Sequence, residues 1–557
     1  MTSNAEVAWL FLEIGDLLEL KGDSPFKVRA YRQAARTLEK LPVSVEVLVA
    51  EQRLEEVPGI GKALAAKIGE ILATGRSAYL EGLRQEIPAG LREMLAIPGL
   101  GVKSVRTIYQ GLRIATLEDL EKAAREREIR KLPGLGSKTE LNILRGLEML
   151  RAQEGHVPLG VAWVVAEGLQ ASLLSLGEVT AALVAGEVRR GVPLVGAIEL
   201  VAASREPVRV GEIFARYPRW REVRHLSRDR LEGVANPGVK VILYLVPPED
   251  LSREMFLRTG SAAHCRRLAE VAREAGWNDF PGRLAEEEIY ARLGLAYIPP
   301  ELREGRGEIE AAAAGTLPRL VEAGDIRGDL HVHSNWSDGV DALRTIAEAA
   351  RKQGYRYLAI TDHSRSLAVA RGLPVEKVWE QGRAIRALNE ELADIRLLWG
   401  TEVDILADGT LDYPDEVLAE MDWVIASVHT SFKQDEETMT ARIARAIRHP
   451  LVRVLGHPTG RILGRRSPYA VDLPKILAAA AETGTCVELN ASGDRLDLEA
   501  EGLELARDLG VKVAIGTDSH ESRHLEDMRY GLITARRGWL RPDDVVNTRE
   551  WEEMGGR

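Results

Sequence analysis

The sequence predicts a multidomain protein of mixed class, with a helical amino-terminal part, a mixed α/β middle and a carboxyl-terminal parallel barrel. Three observations carry this. The segments VPGIGKALAAKIGEIL, IPGLGVKSVRTIYQGL and LPGLGSKTELNILRGL repeat one pattern within the first 153 residues. From Gly160 to Pro248 the pattern changes to strand-like runs such as VTAALVAG and VKVILYLVPP between amphipathic stretches. From residue 326 onward a short apolar run, a polar residue and a helical stretch recur through YLAITDH, LLWGTEVDI, WVIASVH, VRVLGHP, CVELNAS and VAIGTDSH. Strands alternating with helices in this way form a parallel sheet.

Composition agrees with several cores. A chain of 557 residues that is 45% hydrophobic exceeds what one compact unit holds. Its two cysteines, Cys265 and Cys486, exclude a disulfide framework and a thiolate zinc site, which suits a reducing cytoplasm. No stretch of about 18 uncharged apolar residues occurs, so no membrane association is expected. A net charge of -11 argues against indiscriminate nucleic-acid binding but leaves local basic or backbone-donor sites open.

In each amino-terminal repeat an apolar residue and a proline end one helix, and two glycines allow a tight turn before the next. The pairs are Gly59 and Gly61, Gly99 and Gly101, and Gly134 and Gly136. Without side chains in the way, backbone N–H groups at the start of a helix can approach a phosphate, whatever the base sequence. A turn used only for packing would explain one copy better than three. The repeats resemble the helix-hairpin-helix DNA-binding motif. Ahead of the first, FKVRAYRQAARTLEKLP places Lys27, Arg29, Tyr31, Arg32 and Arg36 on one predicted helix. With PGIGKALAAKIGEILATG it resembles the small lyase and 5′-phosphate-binding domain of family X DNA polymerases. That resemblance implies a Schiff-base role for Lys67 and 5′-phosphate or sugar contacts for Lys27 and Tyr31. A lysine serves such chemistry when its surroundings favour the free amine.

Downstream, FLRTGSAAHCRRLAEVAREAGWNDF and LAEEEIYARLGLAYIPPELREGRGEIEAA resemble the palm-to-thumb region of bacterial family X polymerases. The resemblance divides the first 318 residues into a lyase-like domain (1–85), helix-hairpin-helix fingers (86–153), a palm (154–250) and a thumb (251–318). Nucleotidyl transfer in that family requires two divalent ions held by three carboxylates. The matching text is AGEVRRG, VGAIELV and VKVILYLVPP. Gly186 and Arg190 remain, but Glu187 replaces a serine, the paired aspartate positions hold Ala197 and Glu199, and the third holds Ile242. Neither a methyl group nor an alkyl chain binds magnesium, so the expectation is a crippled polymerase site with Mg2+ weak or absent. Glu187 and Glu199 sharing one ion, or a third carboxylate on another strand, are the alternatives. Gly260, Ser261 and His264 in RTGSAAH resemble the family's nucleotide-binding segment, which implies that dNTP binding outlives catalysis.

The carboxyl-terminal part carries nine potential metal ligands at or just after strand-like runs: His331, His333, Asp338, His363, Glu402, His429, His457, Asp518 and His520. One buried histidine is ordinarily a hydrogen-bonded core residue. Nine ligands at successive strand ends, where barrels gather their working residues, point to a multinuclear metallohydrolase. Mixed imidazole and carboxylate donors suit Mn2+ or Zn2+ better than Ca2+. The motifs DLHVHSNWSDG, ITDHS, VLGHP and GTDSH resemble the PHP (polymerase and histidinol phosphatase) superfamily. The resemblance implies a distorted (β/α)7 barrel over 326–557 with three ions. One would sit on His331, His333, Glu402 and Asp518, which form the catalytic core. A second would take Glu402, His429 and His457, and a third Asp338, His363 and His520. Clustered ions activate water and clamp phosphate oxygens, so the implied chemistry is phosphoester hydrolysis. Arg365, Arg371 and Arg461 are candidate phosphate clamps.

As a whole the chain resembles bacterial family X DNA polymerases with a carboxyl-terminal PHP domain. This implies a monomeric, cytoplasmic DNA repair protein that binds gapped, nicked or 3′-ended DNA and degrades it 3′ to 5′. A gap-filling polymerase with rearranged ligands and a non-catalytic DNA-end scaffold are the competing expectations.

Overall fold

The computed structural model describes residues 4–554 other than 40, 42–44, 75–76, 96, 98–99, 153–154, 218–219, 236–237, 278, 281–282 and 393. The chain gathers into two compact units. The first comprises residues 1–155, 212–224 and 233–238, and the second residues 156–211, 225–232 and 239–557.

In the first unit the helices Asn4–Lys21 and Pro25–Glu39 share a core of Phe11, Ile14, Leu18, Val28, Tyr31 and Leu38. Each glycine turn leads into a helix: Lys62–Thr74, Val102–Leu112 and Ser137–Ala152. The turns share one hydrogen bond, from Ile60 N to Val57 O (3.0 Å), from Leu100 N to Ile97 O (3.0 Å) and from Leu135 N to Leu132 O (3.2 Å). Ile60 and Leu100 are buried and Leu135 packs against the same core. The apolar residue between the two glycines therefore pins each turn, leaving Gly59, Gly61, Gly101, Gly134 and Gly136 at the surface.

The second unit begins with a sheet in which the strand Ala197–Ser204 pairs antiparallel with Val179–Ala185 and parallel with Val239–Val246. The parallel register sets Ala197 beside Lys240 and Glu199 beside Ile242. A helical region follows, with Phe256, Leu268, Ile289, Tyr290 and Ile298 in its core. Buried charges there are paired, as their desolvation requires. Arg303, fully buried, donates to Glu286 (2.7 Å) and to Ile298 O (2.9 Å), and His264 bridges Glu308 (2.6 Å) and the Tyr290 hydroxyl (3.1 Å).

Seven parallel strands follow, in chain order from Gly328–Val332 to Val513–Gly516. A bridge between Val332 and Ser519 brings the first strand back to the last, so the sheet is a nearly closed barrel, as expected. Strands buried on both faces read as continuous apolar runs, which is why Tyr357–Ile360 and Trp423–Ser427 carry so little polarity. Tyr357, Leu398, Trp423 and Ile425 fill the interior together with Trp551 from the chain end. Asn547 seals the amino-terminal ends of the strands. Its amide accepts from Ile515 N (2.7 Å) and donates to Gly328 O and Ile515 O (both 2.8 Å). The opposite rim, free of such a plug, carries the ligand residues.

Candidate metal centre

The nine residues converge on the carboxyl ends of the strands. His331 and Glu402 lie within the last residues of Gly328–Val332 and Arg396–Asp404. His429, His457 and Asp518 each follow their strands, Trp423–Ser427, Val454–Leu455 and Val513–Gly516, by two residues. His331 Nε2 lies 3.1 Å from His333 Nε2, which is 3.1 Å from Asp518 Oδ1. Asp338 Oδ2 lies 3.5 Å from His363 Nε2 and 3.3 Å from His520 Nε2. Glu402 sits at the hub. Its Oε2 is 3.4 Å from His331, 3.6 Å from His333 and 2.9 Å from His363, and its Oε1 is 3.2 Å from His429 and 2.8 Å from His457.

The grouping differs from the family assignment: Glu402 falls outside the His331, His333 and Asp518 group, His457 falls outside the Glu402 and His429 group, and two histidines each join a second group. His333 stacks on both His363 (4.4 Å) and His520 (4.3 Å) and falls within reach of the Asp338 group as well as its own. His363 groups with Glu402 and His429 in addition to Asp338 and His520. Two neighbouring ion positions thus share ligand side chains.

The donor set fits divalent cations. Buried Nδ1 atoms of His333 and His457 make no hydrogen bond, a costly state for polar atoms without another partner. Two nitrogens about 2.1 Å from a common ion and separated as His331 and His333 are would subtend about 95° at it, an ordinary coordination angle.

The electrostatics are equally one-sided. Burial opposes ionisation of Glu402, but His429, His331 and His363 outweigh it and hold the carboxyl well below its usual range. Asp518 is likewise held low against burial by His331, His333 and Arg495. Burial disfavours the charged imidazoles too, yet Glu402 with Asp338 raises His363 to about 10, and Glu402 with Asp404 raises His429 to about 9. Asp338 and Asp518 raise His520 to about 9, whereas burial beside His520 and His363 drives His333 down to about 3. The backbone is strained at two of these positions, with left-handed φ of 54° at Asp518 and 22° at His457. Gly516 has no room for a side chain, because a Cβ there would lie 2.4 Å from His331 Cβ.

A layer of buried groups behind the nine orients them. Glu488 accepts from His331 Nδ1 (2.5 Å) and from His457 N, and Asp404 lies 2.5 Å from His429 Nδ1. Asp362 accepts from Ser334 N (2.9 Å) and Gln381 (2.5 Å), fixing the loop that leads to Asp338. Asn490 donates to Asp518 Oδ2 (3.0 Å), and Arg495 Nε lies 3.6 Å from the same oxygen. Sequence reasoning missed all of these. The available signal was a carboxylate inside an apolar strand, as Glu488 is in CVELNAS, or two residues from a ligand on the same strand face, as Asp404 is.

Of the three arginines proposed as clamps, Arg365 and Arg461 are engaged elsewhere, while Arg371 is exposed and makes one long contact. Arg365 pairs with Asp412 (3.1 Å) and Arg371 reaches Gly339 O (3.5 Å). Arg461 is buried and donates to Arg495 O (3.0 Å), Leu496 O and Glu499, so it holds the 495–499 loop instead of facing a substrate.

The palm positions have a different character. Glu187 accepts from Gly196 N (2.6 Å) and Ala197 N (3.3 Å). Glu199 lies near Tyr244, and burial raises its carboxyl above the ordinary range despite the nearby Arg190 and Arg258. The Arg258 guanidinium lies 4.1 Å over the Tyr244 ring. Neither glutamate is a plain surface carboxylate. Gly186 has φ of +60° and a Cβ there would meet the Glu199 carboxylate at 2.7 Å. Arg190 is buried, donating to Thr259 O (2.8 Å) and Glu304 (3.0 Å). Ser261 caps the helix Ala262–Glu274 by accepting from His264 N (3.1 Å), with Gly260 just before it.

In the first unit, Gly59 and Gly134 adopt φ of +85° and +75°. A Cβ at Gly61, Gly101, Gly134 or Gly136 would meet nothing, so no packing within the protein demands their bareness. Gly99 lies outside the described residues. Lys67 Nζ sits 4.7 Å over the Tyr79 ring, Tyr79 stacks on Tyr31 at 6.0 Å, and exposed Lys27 pairs with Asp23 (3.2 Å).

Comparison with known proteins agrees with this division. Residues 2–77 match a helix-hairpin-helix domain, residues 91–149 a SAM-like helix-hairpin-helix tandem, and residues 329–492 the PHP domain. The DNA polymerase/3'-5' exonuclease PolX of Bacillus subtilis (strain 168) is 37% identical over 566 residues, 99% of this chain and 98% of that protein. Probable phosphatases of Thermoanaerobacter sp. (strain X514) and Syntrophotalea carbinolica are 33% and 26% identical over 233 and 230 residues. They cover 40% and 39% of this chain and 89% and 90% of their own lengths. The chain belongs to the family X DNA polymerases of the PolX type, with helix-hairpin-helix domains and a carboxyl-terminal PHP domain. No helix among the described residues is long and apolar enough to cross a membrane.

Proposed function

We propose that this chain is a DNA-end-processing phosphodiesterase whose barrel removes nucleotides from 3′ ends, working as a 3′-5′ exonuclease on gapped, nicked or 3′-ended DNA. The observation that carries it is the cluster of buried imidazoles with unbonded nitrogens around Glu402 and Asp518. The ions are assigned as Mn2+, with Zn2+ the other candidate. His331, His333 and Asp518 hold one, Glu402, His429 and His457 a second, and Asp338, His363 and His520 a third, with His333 and His363 between positions. Bound there, divalent ions supply an activated water and a clamp on the phosphate oxygens. The chain's own residues do the rest: Glu488 and Asp404 fix the His331 and His429 rings, and Asp362 fixes the Asp338 loop.

The domain limits 1–85, 86–153, 154–250, 251–318 and 326–557 belong to the same reading, with the glycine turns as phosphate contacts. Lyase chemistry at Lys67 is a further part of it. The palm retains a family X outline but lacks the means of strong synthesis. The register that seats Ile242 beside Glu199 supports a third carboxylate position occupied by an alkyl chain, and Glu187 is committed to backbone N–H groups. Gap filling through Glu199 is the second reading, and family membership favours it.

One assay separates them: extension and degradation of a 5′-labelled primer on gapped DNA with manganese and all four dNTPs, beside Asp518→Ala. Shortening by the wild type alone, without elongation by either protein, is expected. Elongation that persists in Asp518→Ala would establish the polymerase reading.

A further inference from the structure

Beside the metal-binding rim lies an open cleft of ≈ 550 Å³, within the range of small-ligand sites. Its walls are two of the loops that carry ligand residues. Asn335 and Trp336 come from the loop between His333 and Asp338. Arg371, Leu373 and Pro374 come from the loop after His363, with Lys377 in the first turn of the helix Val375–Glu391.

The contacts that fix the ligands also fix these walls. Asp362, next to His363, accepts from Ser334 N (2.9 Å) and Ser337 N (3.2 Å) on either side of Trp336. Leu373 N donates to His363 O (2.9 Å), and a Cβ at Gly372 would lie 1.9 Å from Ser364 O, so this loop is folded tightly on the His363 segment. Arg371 is held in the left-handed region (φ 56°), with its guanidinium 3.5 Å from Gly339 O, one residue beyond Asp338. Trp336 is half-buried against the barrel core, while Arg371 and Lys377 are exposed. An aromatic wall, Arg371 and Lys377, the last paired with Glu380 (2.5 Å), therefore line a cleft built on the loops that carry Asp338 and His363.

We propose that this cleft is a nucleotide subsite for the unpaired 3′-terminal segment of single-stranded DNA. One base would stack on Trp336, and the flanking phosphate would lie at Arg371 and Lys377. Stacking on an aromatic face tolerates every base, and cations read phosphate without sequence, as non-specific end trimming requires. The proposal rests on the phosphodiesterase reading and adds the residues that hold the end of its DNA substrate.

The test compares cleavage of a 5′-labelled oligothymidylate with hydrolysis of bis-p-nitrophenyl phosphate by the full chain with manganese. The readout is the ratio of the two kcat/KM values. Trp336→Ala lowers that ratio roughly 10- to 100-fold, the loss expected of one stacked base, and Trp336→Phe retains most of it. The pair Arg371→Gln and Lys377→Gln lowers the ratio and reduces the salt slope of oligothymidylate KM by about 0.7, the value for one lost phosphate contact on a single strand. An unchanged ratio in both variants, or equal loss on both substrates, would overturn the subsite. A wild type that hydrolyses the small diester but not the oligonucleotide would overturn it too, while leaving the phosphodiesterase reading intact. Hydrolysis of neither would overturn that reading and the subsite with it.

Discussion

The barrel rim and the palm both gather carboxylates at strand ends, but the protein finishes one set and leaves the other open. At the palm, Glu187 is satisfied by two backbone N–H groups and Glu199 sits near Tyr244, Arg190 and Arg258, while Ile242 fills the neighbouring register position. At the rim, five imidazoles crowd one buried glutamate, and the Nδ1 atoms of His333 and His457 find no partner. A carboxylate answered by protein donors gains little from a cation. Imidazole nitrogens facing one another and two carboxylates gain a great deal. The difference identifies a built cation site better than the number of acidic residues does.

Substitutions at the rim should have the largest effects. Asp518→Ala or His331→Ala should lower 3′-end cleavage on the order of 10³-fold, several kcal/mol of barrier, and remove bound manganese. Glu199→Ala should leave both unchanged. Parallel nuclease assays and metal analysis of the purified variants check the contrast.

Next in size is linkage to metal and protons. Manganese at 100 times its dissociation constant should stabilise the folded state by about 2.7 kcal/mol per independent site, and the gain should vanish in Asp518→Ala. Without divalent ions, His363, His429 and His520 titrate at about 10, 9 and 9, above the ordinary histidine value of 6.5. A raised folded-state pKa contributes stability that is full below the unfolded value and is lost as pH rises through the folded one. Thermal melts of chelated protein should therefore fall between pH 7 and 10, and the shift given by manganese should grow over the same interval.

Glu488→Gln and Asp404→Asn test the layer behind the ligands. Each should reduce manganese affinity or turnover about 10- to 100-fold while retaining the fold, as titration calorimetry and circular dichroism would register. The smallest effect is expected at the palm, where Glu187→Gln should cost about 1 kcal/mol of stability in denaturant melts through the weakened backbone contacts, with nuclease activity unaltered.

Much of this contrast was legible in the sequence. The seven-stranded barrel was readable because strands buried on both faces must be apolar and ligands must sit where each run ends. The expectation of a weakened palm site rests on Ala197 and Ile242, whose side chains cannot coordinate a cation. What escaped depends on pairs that only folding brings together. Glu488 and His331 are 157 residues apart, and nothing local links them. Arg461 looked like a clamp because it follows His457 closely, whereas the inward carbonyls of Arg495 and Leu496 claim its donors. Likewise, the spacing of His333 and His363 could not reveal that each stands between two ligand groups, since that follows from ring stacking across loops.

The most direct test is anomalous scattering at the manganese edge from crystals of the full chain grown with manganese. The account predicts strong peaks among His331, His333, Glu402, His429, His457 and Asp518 and none between Glu187 and Glu199. A peak beside Glu199, with the barrel rim empty, would contradict it.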